Sequence, residues 1–242
     1  QSKLDKLDLK KIFKDYFKIF PWKLINKKSI GFDMGCGSGR WAKVVAPRVG
    51  MLNCIEPSLA IDVARKNLSQ NKNVNFIKLA IEDINLKPDS QDFGYSLGVL
   101  HHIPDTESAL KDCVKTLKPG APFLLYLYYR FDNRPIWYGW VWKASDILRR
   151  CICKLPSRIK IIITNLIATF VYFPLARLAL LGKKLGFDVG SWILSSYRDT
   201  SFYTMRTDAR DRFGTPLEQR FTKNEILEMM HKAGLKNIFF SK

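Results

Sequence analysis

Ile30-Gly31-Phe32-Asp33-Met34-Gly35-Cys36-Gly37-Ser38-Gly39-Arg40-Trp41 reads as a short buried strand ending in an acid, then glycines at alternate positions, then the start of a helix. A strand that turns at once into a helix needs residues that accept positive φ, and glycine does so without a Cβ clash. The missing side chains also let a ligand approach the backbone. Free N–H groups at the new helix start face the same space, which suits a nucleotide-like ligand. The spacing is not that of the dinucleotide fingerprint, whose third glycine lies three residues after the second. No Lys-Ser or Lys-Thr pair follows, which excludes a phosphate-cradling P-loop.

Met51-Leu52-Asn53-Cys54-Ile55-Glu56 is a second apolar strand ending in an acid, 17 residues after Gly39. A carboxylate at that strand end can accept two ribose hydroxyls at once. By itself Glu56 could equally be a solvated strand end; following the glycine turn, it reads as a ligand contact.

Strand and helix patterns then alternate. Strands are expected at Ser29–Met34, Met51–Ile55, Val74–Leu79, Asp92–Leu97 and Pro122–Tyr129. Helices are expected from about Gly39 to Ala46, from Pro57-Ser58 to about Gln70, and over Thr106–Leu117 with Thr106 as cap. A leading helix over Leu4–Phe20 precedes them, stopped by Pro21. Such alternation predicts an α/β doubly wound, mostly parallel sheet with helices on both faces and the ligand at the strands' carboxyl ends.

After Tyr129 the rhythm breaks into a long apolar and aromatic insertion. Phe221–Gly234 resumes as an amphipathic helix, with Thr222 as N-cap, Glu225 completing a capping box and Gly234 at the end. Lys236–Ser241 reads as the beginning of another strand. The expected division is a leading helix over 1–28, a ligand-binding core over 29–129, a helical lid over 130–203, and a return segment with the rest of the core over 204–242.

Asp-x-Gly-x-Gly-x-Gly after an apolar strand, followed by the strand ending in Glu56, resembles class I S-adenosylmethionine-dependent methyltransferases of the small-molecule type. Leu100-His101-His102 after the fourth strand extends the resemblance, which covers about residues 29–129 and, more weakly, 221–241. The family has a seven-stranded-type sheet with an antiparallel last strand. The chain stops before one, so either the given sequence is cut short or the sheet closes in another way. The resemblance implies S-adenosylmethionine as cofactor, contacted by Asp33, Gly35, Cys36, Gly37, Gly39, Glu56 and Pro57. Ile81 would pack on the purine, with Glu82 or Asp83 accepting from its amine, although Ala80 stands where the family often has an acid. Backbone around Leu97 and Gly98 would lie near the methionine part.

His101 and His102, two of the three histidines, are the candidate general bases, with either one able to serve. The bland alternative is a histidine that only shapes the loop. Arg40 and Trp41 serve the donor's carboxylate or cap the helix. Tyr128 is a candidate acceptor contact. Arg206, Arg210 and Arg212 lie in an Asp/Arg alternation that is hard to place in a regular element. They either grip an anionic group of the acceptor or form a salt-bridge network at a hinge.

A net charge of +18 predicts attraction to anionic partners, unless the basic residues are merely scattered. They do not interleave with aromatics as in an RNA-binding module, so a nucleic-acid partner is not expected, and an RNA-modifying enzyme is an alternative. A donor-binding scaffold without catalysis is another. Ile159–Leu181 is strongly apolar, but its uncharged run, Ile161 to Ala176, is 16 residues, short of the roughly 20 that cross a bilayer. A lid is preferred for this insertion; a dimer interface or a peripheral membrane contact is the other reading. Cys36, Cys54 and Cys113 lie in apolar contexts, and the isolated Cys151-x-Cys153 offers no metal site. Reduced thiols and the absence of a signal-peptide pattern at the start point to the cytoplasm. The expected acceptor is a small, apolar or lipid-linked molecule methylated at oxygen, nitrogen or activated carbon.

Overall fold

The computed structural model describes residues 3–131 and 135–241, with side chains from residue 9 onward. They form two compact units. One holds residues 13–129 and 219–241; the other holds residues 130–218 with the start of the leading helix.

The first unit is built on five parallel strands in the order β3-β2-β1-β4-β5. They are β1 (Ile30–Met34), β2 (Met51–Ile55), β3 (Val74–Ile77), β4 (Phe93–Leu97) and β5 (Phe123–Tyr126). β1 at the centre and β2 and β4 beside it are apolar almost throughout, as strands covered on both faces must be. Leu52, Cys54, Phe93 and Tyr95 face one core with Phe17, Ala42, Ile61, Ala64 and Leu68. Phe32, Met34 and Ile55 face the other with Leu110, Cys113 and Met229. The end of helix α1 (Lys3–Tyr16), α2 (Ala42–Val45) and α3 (Ala60–Asn67) are followed by α4 (Thr106–Lys115) and, late in the chain, α9 (Lys223–Lys232).

Phe32 pairs with Gly94 in register and Gly31 with Phe93, so each ring lies over the neighbouring strand's glycine. A Cβ on Gly94 would sit 2.2 Å from Phe32 Cζ. Gly94→Val is therefore expected to cost about 3 kcal/mol by overpacking. Thermal denaturation should show a Tm lower by about 10 °C.

Several boundaries differ from the sequence expectation. Asp105, not Thr106, caps α4: its Oδ1 accepts from the Ser108 N–H at 2.8 Å. Thr106 Oγ1 instead donates to the Leu100 carbonyl at 3.0 Å, tying the helix start to the preceding turn. The expected helix over 39–46 shrinks to α2, because Gly39 holds a φ of 79° before it and Pro47 lies in a 3₁₀ turn after it. The capping box of Thr222 and Glu225 forms as expected. Lys236–Ser241 forms no strand among the described residues, and Asn237 interrupts the extended backbone with a φ of 53°.

The second unit is helical: α5 (Ile136–Ile152), α6 (Ser157–Ile167), α7 (Phe173–Lys184) and α8 (Phe202–Gly214). A π turn over Ala168–Tyr172 joins α6 to α7 in one continuous rod, and Pro174, which cannot donate to the preceding turn, lies directly after it. Met205, Ala209 and Phe213 of α8 pack with Ile152, Ala168, Tyr172 and Ala176. The Asp/Arg alternation is thus helical rather than irregular, because its small and apolar members recur on the face that enters this core. Buried Asp146 pairs with Arg149 at 2.7 Å and Arg150 at 2.8 Å. Arg149 also donates to the carbonyls of Thr215 and Pro216, holding the end of α8 against α5.

Candidate active site

The glycine turn leaves β1 with three positive φ values, 77° at Gly35, 52° at Gly37 and 79° at Gly39. The N–H groups of Gly35 and Cys36 donate to the Ile55 carbonyl at 2.8 and 3.0 Å, fixing the turn against the end of β2. A Cβ on Gly35 would lie 2.4 Å from Val99, and one on Gly39 would lie 2.8 Å from Leu68. Those two glycines serve close packing. A Cβ on Gly37 would meet nothing within 4 Å, so the backbone there borders open space.

Glu56 lies beside that opening. Its Oε2 accepts from the Gly37 N–H and its Oε1 from the Ser58 N–H, each at 3.1 Å. Each oxygen retains acceptor capacity for a ligand hydroxyl. Pro57 is exposed next to it, and Cys36 is buried beneath the turn. Ile81 is buried in a 3₁₀ turn over Ile81–Asp83, while Glu82 and Asp83 are exposed. Gly98, with a φ of 79°, ends β4; its N–H donates to the Tyr126 carbonyl at 3.0 Å. Leu97 and Gly98 are half-buried at the carboxyl end of β4.

Asp33 is buried, and Tyr95 Oη donates to its Oδ2 at 3.0 Å across the β1–β4 pair. Burial is the main cause that pushes its carboxyl up to about 7; the Tyr95 hydroxyl opposes this and the Glu56 charge adds to it. The fold therefore binds this proton more readily than the unfolded chain, whose aspartate titrates near 3.8. The resulting stability is full below about 4 and is lost as pH rises through about 7. Asp33→Asn should remove that dependence, changing the stability difference between pH 4 and 8 by about 2–4 kcal/mol in urea titrations. Comparison with wild type isolates Asp33 from His101, which acts with the opposite sign.

His101 and His102 occupy a 3₁₀ turn over Leu100–His102. The His101 ring is buried and stacks on Tyr128, with centroids 3.8 Å apart and planes at 26°. Neither of its nitrogens has a hydrogen-bond partner among the described residues. Desolvation first, then the charges of His102 and Arg220, lower its pKa to about 2. His102 is half-buried, its ring centroid 4.1 Å from that of His101. The Gln219 N–H donates to the His101 carbonyl at 2.9 Å, and Gln219 Nε2 donates to the Ile103 carbonyl at 2.6 Å. Arg220 lies over the Tyr128 ring at 5.0 Å and donates to the Tyr129 carbonyl.

The structure thus brings Asp33, the glycine turn, Glu56, Leu97, Gly98, His101, His102 and Tyr128 to the carboxyl ends of the strands. Arg206, Arg210 and Arg212 instead belong to α8. Arg206 lies over Tyr203, Arg210 is exposed, and Arg212 donates to Ser145 Oγ at 2.8 Å. Arg40 lies over the Trp41 ring. Tyr95, Gln219 and Arg220 were not foreseen as site residues. The signal for Tyr95 is its register opposite Asp33, which appears only once β1 and β4 pair. A buried acid, an orphaned buried imidazole and an open glycine backbone fit a polar, nucleoside-bearing ligand such as S-adenosylmethionine.

Residues 32–125 match the family model of a methyltransferase domain. A ubiquinone biosynthesis O-methyltransferase of Idiomarina loihiensis is 32% identical over 101 residues, 40% of this chain and 41% of that protein. A protein of the same name from Saccharophagus degradans is 33% identical over 92 residues, 37% of this chain and 39% of its own length. The chain therefore spans about two fifths of the curated relatives it matches. Among solved structures, a candidate methyltransferase from Bacillus halodurans aligns with a TM-score of 0.53 at 15% identity, over 92% of this chain and 68% of that one. A possible histamine N-methyltransferase from Thermotoga maritima aligns with a TM-score of 0.50 at 17% identity, over 96% and 74%. At such identities the likeness of the solved structures is one of fold.

Proposed function

We propose that residues 32–125, which match a methyltransferase-domain family model, form a class I S-adenosylmethionine-dependent methyltransferase core, and that this chain methylates a small, apolar or lipid-linked acceptor, at a hydroxyl oxygen first of all. The observation that carries the reading is the Glu56 carboxylate, held by two backbone N–H groups beside the open face of Gly37. The names of the curated relatives support an oxygen acceptor.

S-adenosylmethionine supplies its methyl on a sulfonium, so the protein's tasks are to bind, align and desolvate, and to take the acceptor's proton. Glu56 would accept from the ribose hydroxyls. The turn of Gly35, Cys36, Gly37 and Gly39 would carry the donor, with Pro57 at its rim. Ile81 would pack on the purine, and Glu82 or Asp83 would accept from its amine. Backbone at Leu97 and Gly98 would border the methionine part. Asp33 and Tyr95 hold the base of the turn.

His102 is the proposed general base. His101, kept neutral by burial and weakly basic, positions the turn through its stack on Tyr128. The placing of Cys36, Cys54 and Cys113 in apolar cores fits small packed thiols and a cytoplasmic location.

Calorimetric titration with S-adenosylmethionine and S-adenosylhomocysteine tests the donor, and mass spectrometry of methyl gain on a panel of phenols, quinols and prenylated phenols tests the acceptor. Micromolar binding with methyl gain on a hydroxyl supports the reading. A folded chain that binds neither nucleoside overturns it.

A further inference from the structure

The α6–α7 rod, Ser157–Lys184, has the reverse of the side-chain distribution of a helix in a water-soluble bundle. Its fully buried positions carry mostly small or polar groups, Thr164, Ala168, Ala176, Ala179 and Gly182, with Tyr172 the one large ring, while Ile163 and Ile167 pack partly against the same core. Its outward positions carry the bulk. Ile162 is 59% exposed, Phe170 72% and Leu178 53%, and Leu166, Phe173 and Leu181 lie with them at helical spacing. By length and composition the 28-residue rod is apolar enough to cross a membrane, and little of it is buried. α5 repeats the pattern with exposed Ile136, Trp140, Ile147 and Leu148. An apolar face of this extent marks an interaction surface.

Charge identifies the occupant. From Lys143 to Lys184 the chain has nine basic residues and one acid, Asp146. Asp146 is already paired with Arg149 and Arg150. Exposed Lys154 and Arg158 stand at one end of the rod, and exposed Lys183 and Lys184 at the other. We propose that this face lies in the plane of an anionic lipid bilayer, its large apolar side chains in the acyl boundary and its flanking cations at the phosphates.

The geometry argues for lying rather than spanning. Arg177 ends the uncharged stretch after 16 residues, Ile161 to Ala176, and donates to the carbonyls of Arg198 and Thr200, so a spanning rod would have to carry that cation into the hydrocarbon and break those bonds. The inward face is also committed to Met205, Ala209 and Phe213 of α8. A spanning rod would have to abandon that core. The inference does not depend on methyl transfer, and its test uses no methyl donor.

The experiment is sedimentation of the 242-residue chain with vesicles of phosphatidylcholine alone or mixed with phosphatidylglycerol, at low and high salt. Binding to the mixed vesicles, weakened by salt and by omission of phosphatidylglycerol, is expected. Ile162→Ser with Phe170→Ser, and separately Lys183→Glu with Lys184→Glu, should each weaken it about tenfold or more. These side chains are exposed, so far-UV circular dichroism should match wild type, and the charge pair tests the idea even if the serine pair misfolds. Absence of vesicle binding, or binding unchanged in both variants, overturns the proposal. A stable dimer that binds no vesicles and becomes monomeric in the serine pair assigns the face to a second copy instead. Resistance of the bound chain to alkaline carbonate extraction overturns the in-plane arrangement.

Discussion

Glu56→Ala is expected to weaken S-adenosylmethionine binding by about 100-fold or more, with little change in Tm. The carboxylate is anchored by the Gly37 and Ser58 N–H groups, so its orientation is set before a ligand arrives. Two hydroxyls meeting a pre-oriented carboxylate form charge-assisted hydrogen bonds, each contributing about 1.5–3 kcal/mol. Their joint loss, near 3 kcal/mol or above, corresponds to the stated factor. Glu56→Gln should retain part of the affinity, since one amide oxygen can still accept. Calorimetry on the three proteins checks this, and an alanine variant with wild-type affinity would remove Glu56 from the donor site.

His102→Ala is the second large effect: kcat should fall by about 10²–10⁴, the usual contribution of a positioned general base, while donor affinity stays within about twofold. The argument rests on the contrast within the pair. His101 is sealed beneath Tyr128, and burial lowers its pKa to about 2, so it cannot collect a proton near neutrality. His102, half-buried at the same turn, is the remaining imidazole at the carboxyl ends of the strands. His101→Phe, which retains a flat ring against Tyr128, should keep much more activity than His102→Ala. Single-turnover assays under saturating donor separate the two, and equal losses would show that the histidines act as a structural unit.

Much of the glycine turn and its neighbouring acid was legible beforehand because they rest on local chemistry. Positive φ at Gly35, Gly37 and Gly39 follows from a strand that must become a helix within a few residues. The position of Glu56 follows from the length of a βαβ crossover, and β2 appears over Met51–Ile55 as its apolar run predicts. The capping box at Thr222 is equally local, since its partners lie three residues apart.

Other features required distant residues to meet. Asp33 reads as a ligand contact in the sequence, but pairing with β4 buries it under Tyr95 and raises its pKa. The two histidines are equivalent in a linear reading; packing against Tyr128 and a bond from Gln219, more than 100 residues away, make them different. The Asp/Arg run looks irregular by composition, yet α8 forms because Met205, Ala209 and Phe213 find a core.

The sequence alone determined the alternation of elements, the glycine turn and the acid at the end of β2, because each depends on backbone conformation and hydrophobic period within a short window. Packing between distant segments settles which imidazole is sealed from water, which carboxylate is pushed toward neutrality, and which face of the apolar rod is turned outward. Those properties depend on desolvation by residues remote in the chain, which no local pattern encodes.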